Sequence, residues 1–101
     1  MDYRLVYTQK ALNDLAEIIG YIAEDDAEAA SHFGGSLIEH VALLARFPHM
    51  GAKVAKRPKV RKLVHSPFIV YYFIRASSNE IDILHIRHGA RKPPTSELRH
   101  N

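Results

Sequence analysis

The apolar residues of this chain recur with a helical period in its first half and a strand period in its second. From Gln9 to about Glu24, Leu12, Leu15, Ile19 and Ile22 recur at helical spacing. Ala11 and Ile18 widen that stripe, and Lys10, Asp14 and Glu17 fall outside it as wet positions. Thr8 stands where an N-cap belongs. A second stripe, Phe33, Leu37, Val41 and Leu44, predicts a helix from about Ala27 to Arg46. Asp25 and Glu28 have capping-box spacing at its start, where acids suit the helix dipole. Only about three residues separate the two helices, so they are expected to form an antiparallel hairpin. Gly34 and Gly35 in the second helix each cost roughly 1 kcal/mol against alanine. Close approach to the first helix would offset that cost; a kink is the other possibility.

Around these helices lie short runs of β-formers. Tyr3–Tyr7 alternates weakly and reads as a first strand. Residues 60–65, 68–74 and 80–88 read as three more, broken by the turn-forming Ser66-Pro67 and Ala76–Asn79. The middle run is apolar on both pleat faces, so it is expected to be covered twice. In the last run, Ile81 and Ile83 point one way and Leu84 and Ile86 the other, while His85 shares a face with Arg87 and His88 takes the opposite one. The order is βααβββ. This predicts an α+β domain in which a helical hairpin packs on one face of a small, four-stranded, largely antiparallel sheet. The other face keeps apolar residues, which either the tail or a partner chain must cover.

Composition narrows the class without naming a function. At 101 residues the chain reads as one domain, 1–101, with a polar tail expected to be loose from about Lys92. No apolar run approaches the roughly 20 residues of a membrane span, and no leader reads as a signal peptide. The absence of cysteine excludes disulfides and cysteine-bound zinc and suits a reducing cytoplasm. The net charge of +3 conceals an asymmetry: residues 1–50 hold three Lys/Arg against eight Asp/Glu, and residues 51–101 hold eleven against three. Six of those cations fall between Lys53 and Lys62, a segment that reads as a basic loop. It suits phosphate or an acidic protein surface, and equally a solvated charge run. No aromatic residue interrupts it, so base stacking is not signalled. His32, His40 and His49 are too far apart to put two ligands on one helical face, and no phosphate or dinucleotide fingerprint is present; neither metal nor cofactor is expected.

Several stretches in this order resemble the RelE/ParE superfamily of toxins from bacterial toxin–antitoxin pairs. They are Ala11-x-x-Asp14-Leu15-x-x-Ile18, Phe47-Pro48 with Gly51, Arg61 ahead of Leu63, Tyr71–Ile74, and the ending Ile86-Arg87-His88-Gly89-Ala90-Arg91. The resemblance covers residues 3 to about 91, and the ending is closer to the ParE branch, often described as plasmid stabilisation proteins, than to RelE. It implies a growth-inhibiting toxin silenced by a cognate ParD-like antitoxin, whose ribbon-helix-helix half binds operator DNA. ParE members act by binding DNA gyrase; RelE members cut messenger RNA on the ribosome. A non-toxic, partner-binding remnant of the family is a third possibility.

The residues that follow from these alternatives are few. Metal-free RNA cleavage needs a base, a cation for the phosphorane and an acid. Arg61, Arg87, His88 and Arg91 are the candidates, with His85 nearby. His85 and His88 lie on opposite faces, and Lys92-Pro93-Pro94 stands where nuclease members carry a further Tyr or His, so a binding toxin is favoured over an enzyme. Lys56, Arg57, Arg61 and Arg91 are the candidate contacts to target or phosphate. Phe68, Val70, Tyr72, Leu84 and Ile86, with the exposed edge of the first helix, are the expected antitoxin contacts.

Overall fold

The computed structural model describes residues 2–90. Strand β1 (Arg4–Tyr7) leads directly into helix α1 (Gln9–Asp25) through Thr8, whose hydroxyl accepts from the Ala11 N–H at 3.2 Å. Helix α2 (Ala27–Ala42) follows after one residue. Its N-cap is Asp26, which accepts from the Ala29 N–H at 3.0 Å, one position later than the expected Asp25. A short 3-10 turn, Leu43–Ala45, ends the helical hairpin. Then come β2 (Ala52–Val54), β3 (Arg57–His65), β4 (Phe68–Arg75) and β5 (Glu80–His88).

The helices pack through the first of the two glycines. A Cβ on Gly34 would stand 3.1 Å from the Ile19 side chain, whereas one on Gly35 would meet nothing within 4 Å. Close approach therefore accounts for Gly34 alone. The face that α1 turns to the core is rotated from the expected stripe. Leu12 is 44% exposed, while Asp14, expected to be wet, is only 7% exposed.

The sheet has five strands in the order β1-β5-β4-β3-β2. The β3-β4-β5 meander is antiparallel throughout, as the sequence pattern implies. Two features differ from that pattern. Ala52–Val54 pairs with β3, so the basic loop is an edge hairpin turning at Ala55-Lys56. Strand β1 pairs parallel to β5, because the helical hairpin carries the chain across the sheet between them. Among the described residues, no helix is long and apolar enough to cross a membrane.

One extra residue in β5 decides which side chains face the helices. Tyr71 pairs with His85 and Tyr72 with Ile83, leaving Leu84 as a β-bulge. Ile81 and Ile83 lie in the core beneath the helices, as alternation predicts; Ile86 joins them there instead of pointing the other way, because the bulge shifts the alternation by one. Val70, Tyr72 and Ile86, expected to meet a partner, are buried in that core at 0%, 0% and 2% exposure, and so have no surface to offer one. Phe68 packs half-buried against the same core. Leu84, also an expected partner contact, faces the other way with Val60, Tyr71, Val54, Ile69 and Phe73, and at 6% exposure is buried among them. No described helix or strand lies over this second face, and the tail proposed as its cover is outside the described residues.

Two contacts hold the ends of this arrangement. Gly51 sits so close to β3 and β4 that a Cβ would come within 2.6 Å of the Lys62 carbonyl and the Tyr72 hydroxyl. At the other end, the Glu80 carboxylate accepts from the Arg4 guanidinium and pairs with Arg75 at 2.8 Å. The hydrogen bond from Arg4, with the charges of Arg4 and Arg75, holds Glu80 below its ordinary 4.5 against the opposing effect of burial.

Urea unfolding tests both. Gly51→Ala lowers stability by about 2–3 kcal/mol through overpacking. Gly35→Ala, with open space for its methyl, raises it by about 0.5–1 kcal/mol. Since Glu80 is depressed in the folded state, its contribution is complete above pH 4.5 and fades as pH falls through the lower folded value. Thermal unfolding from pH 7 to pH 3 should therefore show a shallower acid decline for Glu80→Gln than for the parent protein.

Candidate functional site

The β2–β3 hairpin carries Lys53, Lys56, Arg57, Lys59, Arg61 and Lys62 at the free edge of the sheet. Lys53 stands opposite Arg61, and Ala52 opposite Lys62. Like charges face each other across the register with Lys53 and Arg61, an arrangement that stability alone disfavours. Lys53, Lys56 and Lys59 are exposed, while Arg57, Arg61 and Lys62 are half-buried. Of the expected target contacts, Lys56 thus lies in the hairpin turn and Arg57 beside it at the start of β3.

Arg61 does a different job from the one its charge suggests. Its Nη1 donates to the Gly51 carbonyl at 2.7 Å and lies 3.4 Å from the His49 carbonyl. The Tyr72 hydroxyl donates to the Pro48 carbonyl at 2.7 Å and accepts from the Gly51 N–H at 3.0 Å. Burial raises the Tyr72 phenol above its ordinary 10.0, outweighing the Gly51 hydrogen bond and the Arg61 charge, so it remains a donor near neutrality. The Phe47-Pro48-x-x-Gly51 segment is therefore clamped from the core by a phenol and from the edge by a guanidinium. On its outer side, Leu43, Phe47 and Met50 stay exposed and line a shallow depression of about 570 Å³ with Arg46, Pro48 and His49.

The second face holds another polar group. Arg87 Nε donates to the Tyr71 hydroxyl at 2.8 Å, with the guanidinium 5.4 Å from the ring centre, and its Nη1 donates to the His88 carbonyl at 2.8 Å. The His85 ring stacks on Tyr71 with 6.0 Å between centres, and its Nδ1 donates to Asp14 at 2.6 Å. The same Asp14 oxygen accepts from the Ile86 N–H at 3.0 Å, and its other oxygen from Lys10 at 2.8 Å. His88 turns to the helix side, packs on Phe68 and accepts from the Ala90 N–H at 3.1 Å, which caps the strand end.

These placements do not bring the nuclease candidates together. Arg61 shares the helix-side face with Tyr72, Arg87 lies on the second face beside Ile69, and His88 sits opposite Phe68 at the far end of β5. Arg91 lies outside the described residues. Arg61 and Arg87 thus lie on opposite faces of the sheet. Among the described residues, no group of three or more His, Asp or Glu is placed to hold a metal ion. The exposed Leu43–Phe47–Met50 patch and the buried Asp14 were not read from the sequence as site or core residues. The helical stripe ends at Leu44, so nothing in its period marks Phe47 and Met50 as surface apolar residues. The Ala11-x-x-Asp14-Leu15-x-x-Ile18 motif did single out Asp14, but not its burial.

Comparison with known proteins places this geometry in a family. A family model described as the ParE toxin of type II toxin–antitoxin systems matches residues 5–93. The chain is 32% identical over 93 residues to the candidate toxin Y4kP of Sinorhizobium fredii, covering 90% of this chain and 93% of that protein. A solved chain from the chromosomal ParDE toxin–antitoxin system of P. aeruginosa superposes with a TM-score of 0.72 at 29% identity, covering 85% of this chain and 95% of that one. The toxin–antitoxin complex RelBE2 of Mycobacterium tuberculosis shares the fold, with a TM-score of 0.66 at 18% identity over 87% of this chain and 99% of that chain. With helices, sheet order and family model in agreement, the chain belongs to the ParE toxin family of type II toxin–antitoxin systems, within the RelE/ParE superfamily.

Proposed function

We propose that this protein arrests growth by binding DNA gyrase rather than by cutting RNA, and that a ParD-like antitoxin with a ribbon-helix-helix DNA-binding half keeps it silent. The observation that carries this reading is the separation of the candidate catalytic groups. Arg61 is committed to the Phe47–Gly51 segment, His85 to Asp14, and His88 to the end of β5. Inhibition by binding needs only a shaped, charged surface, which the hairpin tip offers through Lys56 and Arg57. The domain 1–101 acts as one unit in the cytoplasm, without metal or cofactor. Its hetero-oligomer with the antitoxin carries it to operator DNA, and plasmid stabilisation is the outcome. With Val70, Tyr72 and Ile86 inside the core and Leu84 only 6% exposed, the antitoxin meets the second face at the half-buried Ile69 and Phe73, the half-buried rim at Phe68 and the outer edge of α1.

Purified toxin tests the target directly. It is expected to block gyrase supercoiling and leave messages intact in a translating extract. Charge reversal at Lys56→Glu with Arg57→Glu raises the half-inhibiting concentration roughly tenfold, which corresponds to about 1.4 kcal/mol. Ribosome-dependent message cleavage with undisturbed supercoiling would overturn this in favour of the nuclease alternative. An absence of any growth effect on expression would favour the inert remnant.

A further inference from the structure

The polar attachment of α2 to the sheet runs through two imidazoles. Among the described residues, the side-chain hydrogen bonds from α2 to the sheet, from Ser36 and His40, both end on His65 at the end of β3. His40 Nδ1 lies 2.9 Å from His65 Nδ1, and Ser36 Oγ lies 3.4 Å from His65 Nε2. The ring centres are 5.1 Å apart, nearly the nitrogen separation plus two ring radii. The rings therefore meet end to end, with their Nδ1 atoms aimed at one another. That alignment suits a shared proton. It does not suit a chelated metal, which needs two lone pairs converging on a third point. Ser36 lies inside α2, where the helix uses its own amides, so the alignment lacks the donors that acyl chemistry requires.

We infer that His40 and His65 form an acid-sensitive latch, which seats α2 on β3 while the facing nitrogens hold one proton and releases it when they hold two. With one proton, one Nδ1 donates and the other accepts, and His65 Nε2 exchanges a hydrogen bond with Ser36 in either tautomer. A first added proton leaves one imidazolium still donating across the gap; only when both rings are charged are both facing nitrogens donors, so that the bond is lost and two like charges face each other at 2.9 Å. The pair titrates in two steps that belong to it jointly. From α2, the groups against His65 are Ser36, His40 and the Phe33 ring; from β4, Phe68; and beyond Phe68, His88 of β5. His40 is the ionisable group that lowers His65 electrostatically, in addition to the larger effect of burial. A group held below its ordinary 6.5 in the folded state stabilises above that value and ceases to do so as pH falls through its folded value. Opening the latch uncovers Phe33 and Phe68, which otherwise pack at 5.2 Å. None of this depends on which target the toxin binds.

Hydrogen exchange on the full chain, corrected for intrinsic rates, reads the latch between pH 7 and pH 5. Amides of α2 should lose protection relative to α1 by up to about tenfold per pH unit, the limit for one extra proton. In His40→Gln the relative protection should not vary with pH. Equal behaviour of the two helices, or the same pH dependence in His40→Gln, would overturn the inference. Nitrogen NMR of the parent protein's imidazoles needs no variant. Two separated titration steps, the second below that of the exposed His32, support the latch; His40 and His65 titrating independently and alike with His32 sink it.

Discussion

Strand β5 is gripped along both edges and on its helix-side face, and the rest of the molecule is arranged by how that is done. β4 takes one edge along its full length, and β1 takes the other from Glu80 to Ile83. Where β1 ends, Thr8 closes the gap by donating through its backbone N–H and its hydroxyl to the Ile83 carbonyl, and α1 continues along the edge. Asp14 then accepts from the Ile86 N–H, doing for the strand what a neighbouring strand would have done. A buried carboxylate is costly unless its lone pairs are taken, and Ile86, His85 and Lys10 take them. The helix is thus bonded into the sheet edge as well as laid over its face.

The bulge at Leu84 sits inside this grip and divides the chemistry of β5 between the two sides. It keeps Ile81, Ile83 and Ile86 together under the helices while placing Leu84 with Tyr71 on the second face. His85 and Arg87 share that second face, and His88 does not. A strand whose polar residues are split in this way presents them to two different surfaces, however close they stand in sequence. The basic hairpin, by contrast, concentrates its charge at a sheet edge, a position where it discourages edge-to-edge pairing.

The two helices are seated by different means. α1 is tied to β5 through Asp14, a bond among buried groups. α2 relies on the apolar Leu37 and Val41, with Leu44 of the 3-10 turn that follows it, and on one imidazole pair at its side. Apolar seating is insensitive to pH, whereas a shared proton is not. The two halves of the hairpin therefore have different reasons to stay in place.

Period and turn chemistry were enough to determine the helical hairpin, the three-strand meander and the capping role of Thr8, because each rests on local spacing and short-range hydrogen bonds. The ParE-like arrangement was legible from motifs in order. Strand β2 was not, since Ala52-Lys53-Val54 has no alternation to show and becomes a strand only because β3 offers it an edge. Asp14 looked wet because a helical stripe is read from apolar residues, and only the open edge of β5 makes a buried carboxylate favourable there. The fate of Val70, Tyr72 and Ile86, and the split of Arg61 from Arg87, also belonged to the tertiary structure. A strand's faces are set by register against its neighbour, and a single unpaired residue, Leu84, reverses them without leaving a mark in the pattern.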